Sequence, residues 1–239
     1  MRVTFLGTGT AESFDRAQSS ILFEKEFSEG VRRILVDAGN GCLLRLGQLN
    51  LKAKDVEAVL LTHIHLDHSG DLLPLLKARW LSGVEEELKI YGPPGTSSWL
   101  ESQLEAYPFL RGKLSYSIFE VSGEEKFQVS GFSVESAVTK HSVESRGYVI
   151  DGVFVTGDTS PFRELYERDF DIIIHELSLP EGFSENHTTP DSIMQFSDIL
   201  REKEVYFTHM YSHTLAVKDR IAEKVGFGKF AEDLMRFEF

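Results

Sequence analysis

The apolar, strand-like runs of this chain repeatedly end in histidine or aspartate. "DVEAVLLTHIH" ends at His63 and His65, "SVESAVTKH" at His141, "VFVTGD" at Asp158 and "VYFTH" at His209. Open α/β sheets place their ligands just beyond strand ends. One such histidine is most simply a hydrogen-bonded structural residue. A whole set of them constrains the fold to bring these ends together.

The densest stretch is "LTHIHLDHSGD" at 61–71, with three of the chain's eight histidines and two aspartates. His63 and His65 stand two apart at the end of a predicted strand, so their imidazoles point the same way. Asp67 and His68 follow at once, and Gly70 eases the turn into a helix. Asp71 is expected in the first turn of that helix, where its charge suits the dipole. Imidazole and carboxylate together suit zinc, manganese or iron. His63, His65, Asp67, His68, His141, Asp158 and His209 make seven ligand-type residues. That is too many for one tetrahedral ion and right for two.

Around these ends the chain is β-rich, then alternates strand and helix, and does so twice. Strands are predicted at 3–7, 19–24 and 32–39, and helices over "DLLPLLKARWLSG" and "TSSWLESQLEAY". The middle is β again, with Asp151-Gly152 as a hairpin turn. Helices then recur in "PFRELYERD", "TPDSIMQFSDILREK" and "LAVKDRIAEKV". Two such halves predict an α/β sandwich. The 239 residues, 41 % of them hydrophobic, suit one large domain over 1–239.

No apolar run approaches the roughly 20 residues that span a bilayer, so no membrane partner is expected. The opening "MRVTFLGTGT" reads as a strand rather than a signal peptide, and the sole cysteine, Cys42, excludes an intramolecular disulfide and a cysteine-based zinc cluster. A cytoplasmic location is the resulting expectation. The formal net charge of −13 argues against a broad basic surface for nucleic acid.

The order H-x-H-x-D-H, then His, Asp and His, resembles the metallo-β-lactamase fold superfamily across essentially the whole chain. The resemblance implies a four-layer αββα sandwich with two divalent metal ions at one edge, zinc first, with manganese or iron as alternatives. His63, His65 and His141 would hold one ion, Asp67, His68 and His209 the other, and Asp158 would bridge them. Two divalent ions less two carboxylates and one bridging hydroxide leave a centre of about +1, an anion trap inside an acidic protein. Such a centre hydrolyses, with the bridging hydroxide as nucleophile.

A further segment, "HELSLPEGFSENHTTP", puts Glu176 eleven residues before His187. A histidine paired with a carboxylate can protonate an alkoxide leaving group near neutral pH. The plainer reading makes Glu176 a surface acid and His187 a neighbour of a helix cap at Thr188 or Thr189. This segment resembles tRNA 3′-processing endonucleases of the RNase Z kind, as do "FLGTGT", "YGPPG" and "HSVESRGYVI". By that resemblance Asp67, Glu176 and His187 are the catalytic candidates, and a homodimer is implied. The chain departs from RNase Z in two places. His141 and Asp158 stand only 17 positions apart, with no Gly- and base-rich arm, and "DAGNGCLLRL" stands where that family has "GEGTQ". With the acidic charge, this argues against tRNA. The expectation is a phosphodiesterase for small, cyclic or RNA-like phosphodiesters. The alternative is a lactone, ester or thioester hydrolase on the same metals.

Asp37 is either a partner of a metal-binding histidine or a turn former. His175 is expected to be structural. His213 fits either the pocket or solvent. Trp80, Trp99, Tyr107 and Phe109 are expected in core or pocket wall.

Overall fold

A computed structural model describes residues 1–239. Six strands run through the first half: β1 (Arg2–Gly7), β2 (Ser20–Phe27), β3 (Gly30–Val36), β4 (Ala58–Leu60), β5 (Leu88–Gly92) and β6 (Tyr116–Glu120). Seven follow: β7 (Lys126–Val129), β8 (Phe132–Val138), β9 (Arg146–Ile150), β10 (Val153–Val155), β11 (Ile172–Glu176), β12 (Glu204–Thr208) and β13 (Lys229–Phe230). A last strand, β14 (Arg236–Glu238), returns to the first sheet beside β1.

The sheets have the orders β14-β1-β2-β3-β4-β5-β6 and β13-β12-β11-β10-β9-β8-β7. Each is antiparallel at one side and parallel at the other. Pairing becomes parallel from β3 to β6 in one sheet and from β10 to β13 in the other. The recurrence predicted from the sequence is this repeated change from hairpins to crossovers.

Strand periodicity builds the layers. Ile34 and Val36 of β3, with Phe5 of β1, face the other sheet, where they meet Tyr148, Ile172 and Tyr206. Leu35 points the opposite way, into a layer with Leu46, Leu75 and Leu100. These come from helices α1 (Cys42–Gln48), α3 (Leu72–Leu81) and α4 (Thr96–Ala106), with the short α2 (Leu66–Ser69) preceding α3. On the far side, Phe154, Ile173 and Phe207 pack against Leu165, Ile193, Leu200 and Ile221. Strands buried on both faces need near-continuous apolar runs, which explains "AVLL" and "DIII". The result is the expected αββα sandwich, two mixed sheets flanked by helices. No helix is long and apolar enough to cross a membrane.

Three local expectations need correction. The predicted helix over 189–203 is broken into α6 (Pro190–Ile193), a 3-10 turn (Met194–Phe196) and α7 (Ser197–Leu200). Phe196 leaves helical geometry at φ −116°, ψ 17°, and packs its ring 5.1 Å from that of Tyr166. Tertiary packing overrides helix propensity there. Strand β4 stops at Leu60, so His63 and His65 lie beyond it; the Thr62 amide turns to Asp37 Oδ1 instead of a neighbouring strand. Finally, the Asp71 carboxylate does not serve its own helix. It accepts from the Gly41 and Leu43 amides at the start of α1, at 3.0 and 3.1 Å. The remaining helices, α5 (Arg163–Tyr166), α8 (Ser212–Leu215) and α9 (Lys218–Val225), flank the second sheet.

Candidate metal centre

All seven predicted residues meet at one edge, beyond the C-terminal ends of β4, β8, β10 and β12. His63 Nε2 and His141 Nε2 lie 3.0 and 3.1 Å from His65 Nδ1. His68 Nε2 and Asp67 Oδ2 each lie 3.1 Å from His209 Nε2. Ligands on a tetrahedral zinc stand about 3.3 Å apart, given bonds of roughly 2.0–2.1 Å. These four separations are close to that edge length, and the remaining Asp67 Oδ2–His68 Nε2 edge is longer at 4.0 Å; each group could hold an ion.

Asp158 stands between them. Its Oδ2 is 3.9 Å from both His63 Nε2 and His141 Nε2, and its Oδ1 is 3.4 Å from His68 Nε2 and 3.2 Å from His209 Nδ1. Oδ1 is buried and makes no hydrogen bond. A buried carboxylate oxygen without a partner is costly. An ion resolves that cost, and the donor set of imidazole and carboxylate fits two divalent ions.

The other ring nitrogens of His63, His68, His141 and His209 are held by the protein. His68 Nδ1 donates to Asp37 Oδ2 at 2.6 Å, and His141 Nδ1 to the Asn186 carbonyl at 2.9 Å. Thr62 Oγ1 lies 3.0 Å from His63 Nδ1 and also bonds Asp37, while Ser178 Oγ lies 3.1 Å from His209 Nδ1. Partners of this kind fix the tautomer and ring orientation. Asp37 thus orients His68 and does not merely form a turn. Burial pushes the Asp67 carboxyl up, but the His209 hydrogen bond and His68 outweigh it and hold it at about 2.

Glu176 is the last residue of β11 and is buried, contrary to the surface-acid reading. Its Oε1 accepts from the amides of Thr159 and Thr188 at 3.1 and 2.9 Å, and its Oε2 from Ser178 at 2.8 Å. Oε1 also lies 3.1 Å from His187 Nδ1, leaving His187 Nε2 with no protein partner. Burial works against protonating His187, but the Glu176 hydrogen bond and charge prevail and raise its pKa above the ordinary value. Thr189, not His187, caps α6 by accepting from the Ser192 amide. His175 is structural: its Nδ1 donates to the Glu176 carbonyl and its Nε2 accepts from Tyr166, at 2.7 and 2.8 Å.

His213 is exposed and stacks on Tyr211 at 5.7 Å, while Tyr211 meets His187 edge-on at 6.0 Å. Trp80 and Trp99 back the first sheet's helical layer. Of the two expected placements, Tyr107 and Phe109 take the pocket wall: they are about half exposed and line an apolar groove with Leu73 and Leu81. Sequence reasoning missed Thr62, Ser178, Asn186 and Tyr211. The available signal was their position, each within three residues of a predicted site residue.

Two mixed sheets between helices define the metallo-β-lactamase fold, here with a candidate His/Asp metal centre at one edge. The chain belongs to the Anti-Pycsar protein Apyc1 family, whose model matches residues 1–237. It is 32 % identical over 181 residues to ribonuclease Z of Mycobacterium sp. (strain KMS), an alignment covering 67 % of this chain and 62 % of that one. A diphosphatase of the PhnP family superposes with a TM-score of 0.80 at 20 % identity, covering 100 % of this chain and 97 % of its own. The short form of human tRNase Z superposes at 0.78 with 24 % identity, covering 100 % and 99 %.

Proposed function

We propose that the chain is a phosphodiesterase for small or cyclic phosphodiesters, with cyclic nucleotides as the leading substrates. The observation that carries this reading is the Glu176–His187 pair: His187 Nδ1 faces Glu176 Oε1 and, at 3.8 Å, Asp158 Oδ2, which leaves Nε2 unpartnered. Family membership supports it, since the Apyc1 family degrades cyclic nucleotides. In our assignment His63, His65 and His141 hold one ion, Asp67, His68 and His209 the second, and Asp158 bridges them. Zinc is the proposed ion.

Two bound divalent ions would supply Lewis acidity, activating a water and stabilising negative charge on the phosphoryl oxygens. The chain's own residues do the rest. Glu176 takes three amide hydrogen bonds, so its position is rigid, and it holds His187 through Nδ1. That pairing favours the protonated imidazole. The activated water gives up one proton to solvent and its oxygen bonds to phosphorus, one P–O ester bond breaks, and His187 Nε2–H delivers a proton to the leaving alkoxide. Asp67 accepts from the Ala11 amide at 3.0 Å, which fixes its carboxylate beside His209.

The interval from His141 to Asp158 holds the short hairpin β9–β10 and no long arm. This favours compact substrates over tRNA. We also propose a homodimer, on the resemblance to RNase Z alone; a single-chain mass in sedimentation would end that proposal.

The decisive experiment is a substrate panel on zinc-loaded protein: cyclic nucleotides, bis(p-nitrophenyl) phosphate, a pre-tRNA, lactones and thioesters. Turnover of phosphodiesters well above the others is expected. Ready hydrolysis of lactones or thioesters with inert phosphodiesters would sink the proposal.

A further inference from the structure

His209 adopts a left-handed backbone, φ 55°. For a non-glycine residue this is unfavourable, so surrounding bonds must hold it. Its amide donates to the Thr8 carbonyl at 3.1 Å, and its carbonyl accepts from Ser178 Oγ at 2.8 Å. Thr8 is itself held from the far end of the chain. Its amide and hydroxyl both donate to Asp233 Oδ1, at 2.9 and 2.8 Å. Asp233 Oδ2 accepts from the Ala17 amide at 2.7 Å and from the Arg45 guanidinium at 2.6 Å.

One carboxylate therefore joins both ends of loop 8–17 to α1. Gly9 closes the loop with a 2.8 Å bond to the Ala17 carbonyl. Within the loop, the Ala11 amide reaches Asp67 Oδ2 at 3.0 Å. The loop thus touches two members of the Asp67–His68–His209 group, through Thr8 and Ala11. It makes no hydrogen bond to His63, His65 or His141.

We propose that Asp233 is a positioning residue for the ion held by Asp67, His68 and His209, acting through Thr8 and loop 8–17. The inference rests on the two-ion assignment above. Its signature is asymmetry: losing Asp233 weakens one ion and leaves the other alone. A residue that only stabilised the fold would weaken both.

The test titrates zinc chloride into metal-free protein against a chromophoric chelator, with bound zinc counted by elemental analysis. Asp233→Asn is measured in two backgrounds. His141→Ala leaves the Asp67 group complete, and there zinc affinity should fall roughly 10- to 100-fold, the range for lost partners of metal ligands. His209→Ala leaves the other group complete, and there affinity should stay within about twofold. Equal losses in both backgrounds, or none in either, would overturn the proposal. Wild-type protein binding fewer than two zinc ions would refute the two-ion assignment instead. Should Asp233→Asn not fold, Arg45→Met removes only the charge partner of Oδ2. It should give a smaller loss, confined to the His141→Ala background, and no loss there counts against Asp233. Glu238→Ala breaks the 3.1 Å Arg2–Glu238 pair in the same tail and should change neither affinity.

Discussion

His187 Nδ1 stands 3.1 Å from Glu176 Oε1 and 3.8 Å from Asp158 Oδ2, which joins the proposed proton donor to the proposed bridging carboxylate. Three backbone amides hold the Glu176 carboxylate in place. The imidazole is therefore held in one place, with one nitrogen left for a substrate.

His187→Ala should lower kcat on a cyclic nucleotide by about 10²- to 10³-fold, within the usual range for a positioned acid. The loss should be smaller on bis(p-nitrophenyl) phosphate, because p-nitrophenolate leaves without a proton. Bound zinc should stay at the wild-type level. Steady-state kinetics on both substrates reads this, and equal losses on the two would remove the acid role.

Asp158→Ala should reduce bound metal below two ions per chain. Both oxygens of Asp158 face ligand groups, one group each. Elemental analysis after dialysis measures the outcome; an unchanged count would end the bridging assignment.

Gly157→Ala should destabilise the fold by more than about 2 kcal/mol, combining overpacking with left-handed strain. Gly157 has φ 62°, and an added Cβ would sit 2.7 Å from the Thr62 Cβ. Thr62 bonds Asp37 and His63, so metal affinity should drop as well. Chemical denaturation and zinc titration check the two effects, and a neutral substitution would contradict the packing argument.

Cys42 should resist thiol reagents in the native protein at pH 8 and react promptly in denaturant. Burial, and then the Asp71 carboxylate, push its thiol up to about 12. A thiol with that pKa carries almost no thiolate at pH 8. Fast modification of the native chain would show that α1 opens.

Much of the candidate site was legible because its candidate ligands are residue types with little structural use at strand ends. His63, His65, Asp67 and His68 form a local pattern, and His141, Asp158 and His209 each follow an apolar run. Glu176 and His187 were legible as a pair only through family resemblance. Thr8 and Asp233 were not legible at all. Threonine and aspartate are ordinary turn residues, and 225 positions separate these two. The carboxylate of Asp71 was assigned to the wrong helix for the same reason: its charge could be read from the sequence, but its target, α1, lies upstream and is brought near only by folding.

The sequence by itself determined the layers and the chemistry. Period-two apolar runs interleaved with helical spacing leave few ways to bury both faces of two sheets, and imidazole and carboxylate at strand ends point to a candidate metal site. Tertiary structure alone decided which nitrogen of each histidine faces the centre, the left-handed turn at His209, and the break in the helix at Phe196. Those depend on hydrogen bonds and packing between segments far apart in the chain. Local preference in the sequence carries no record of such contacts until the sheets come together.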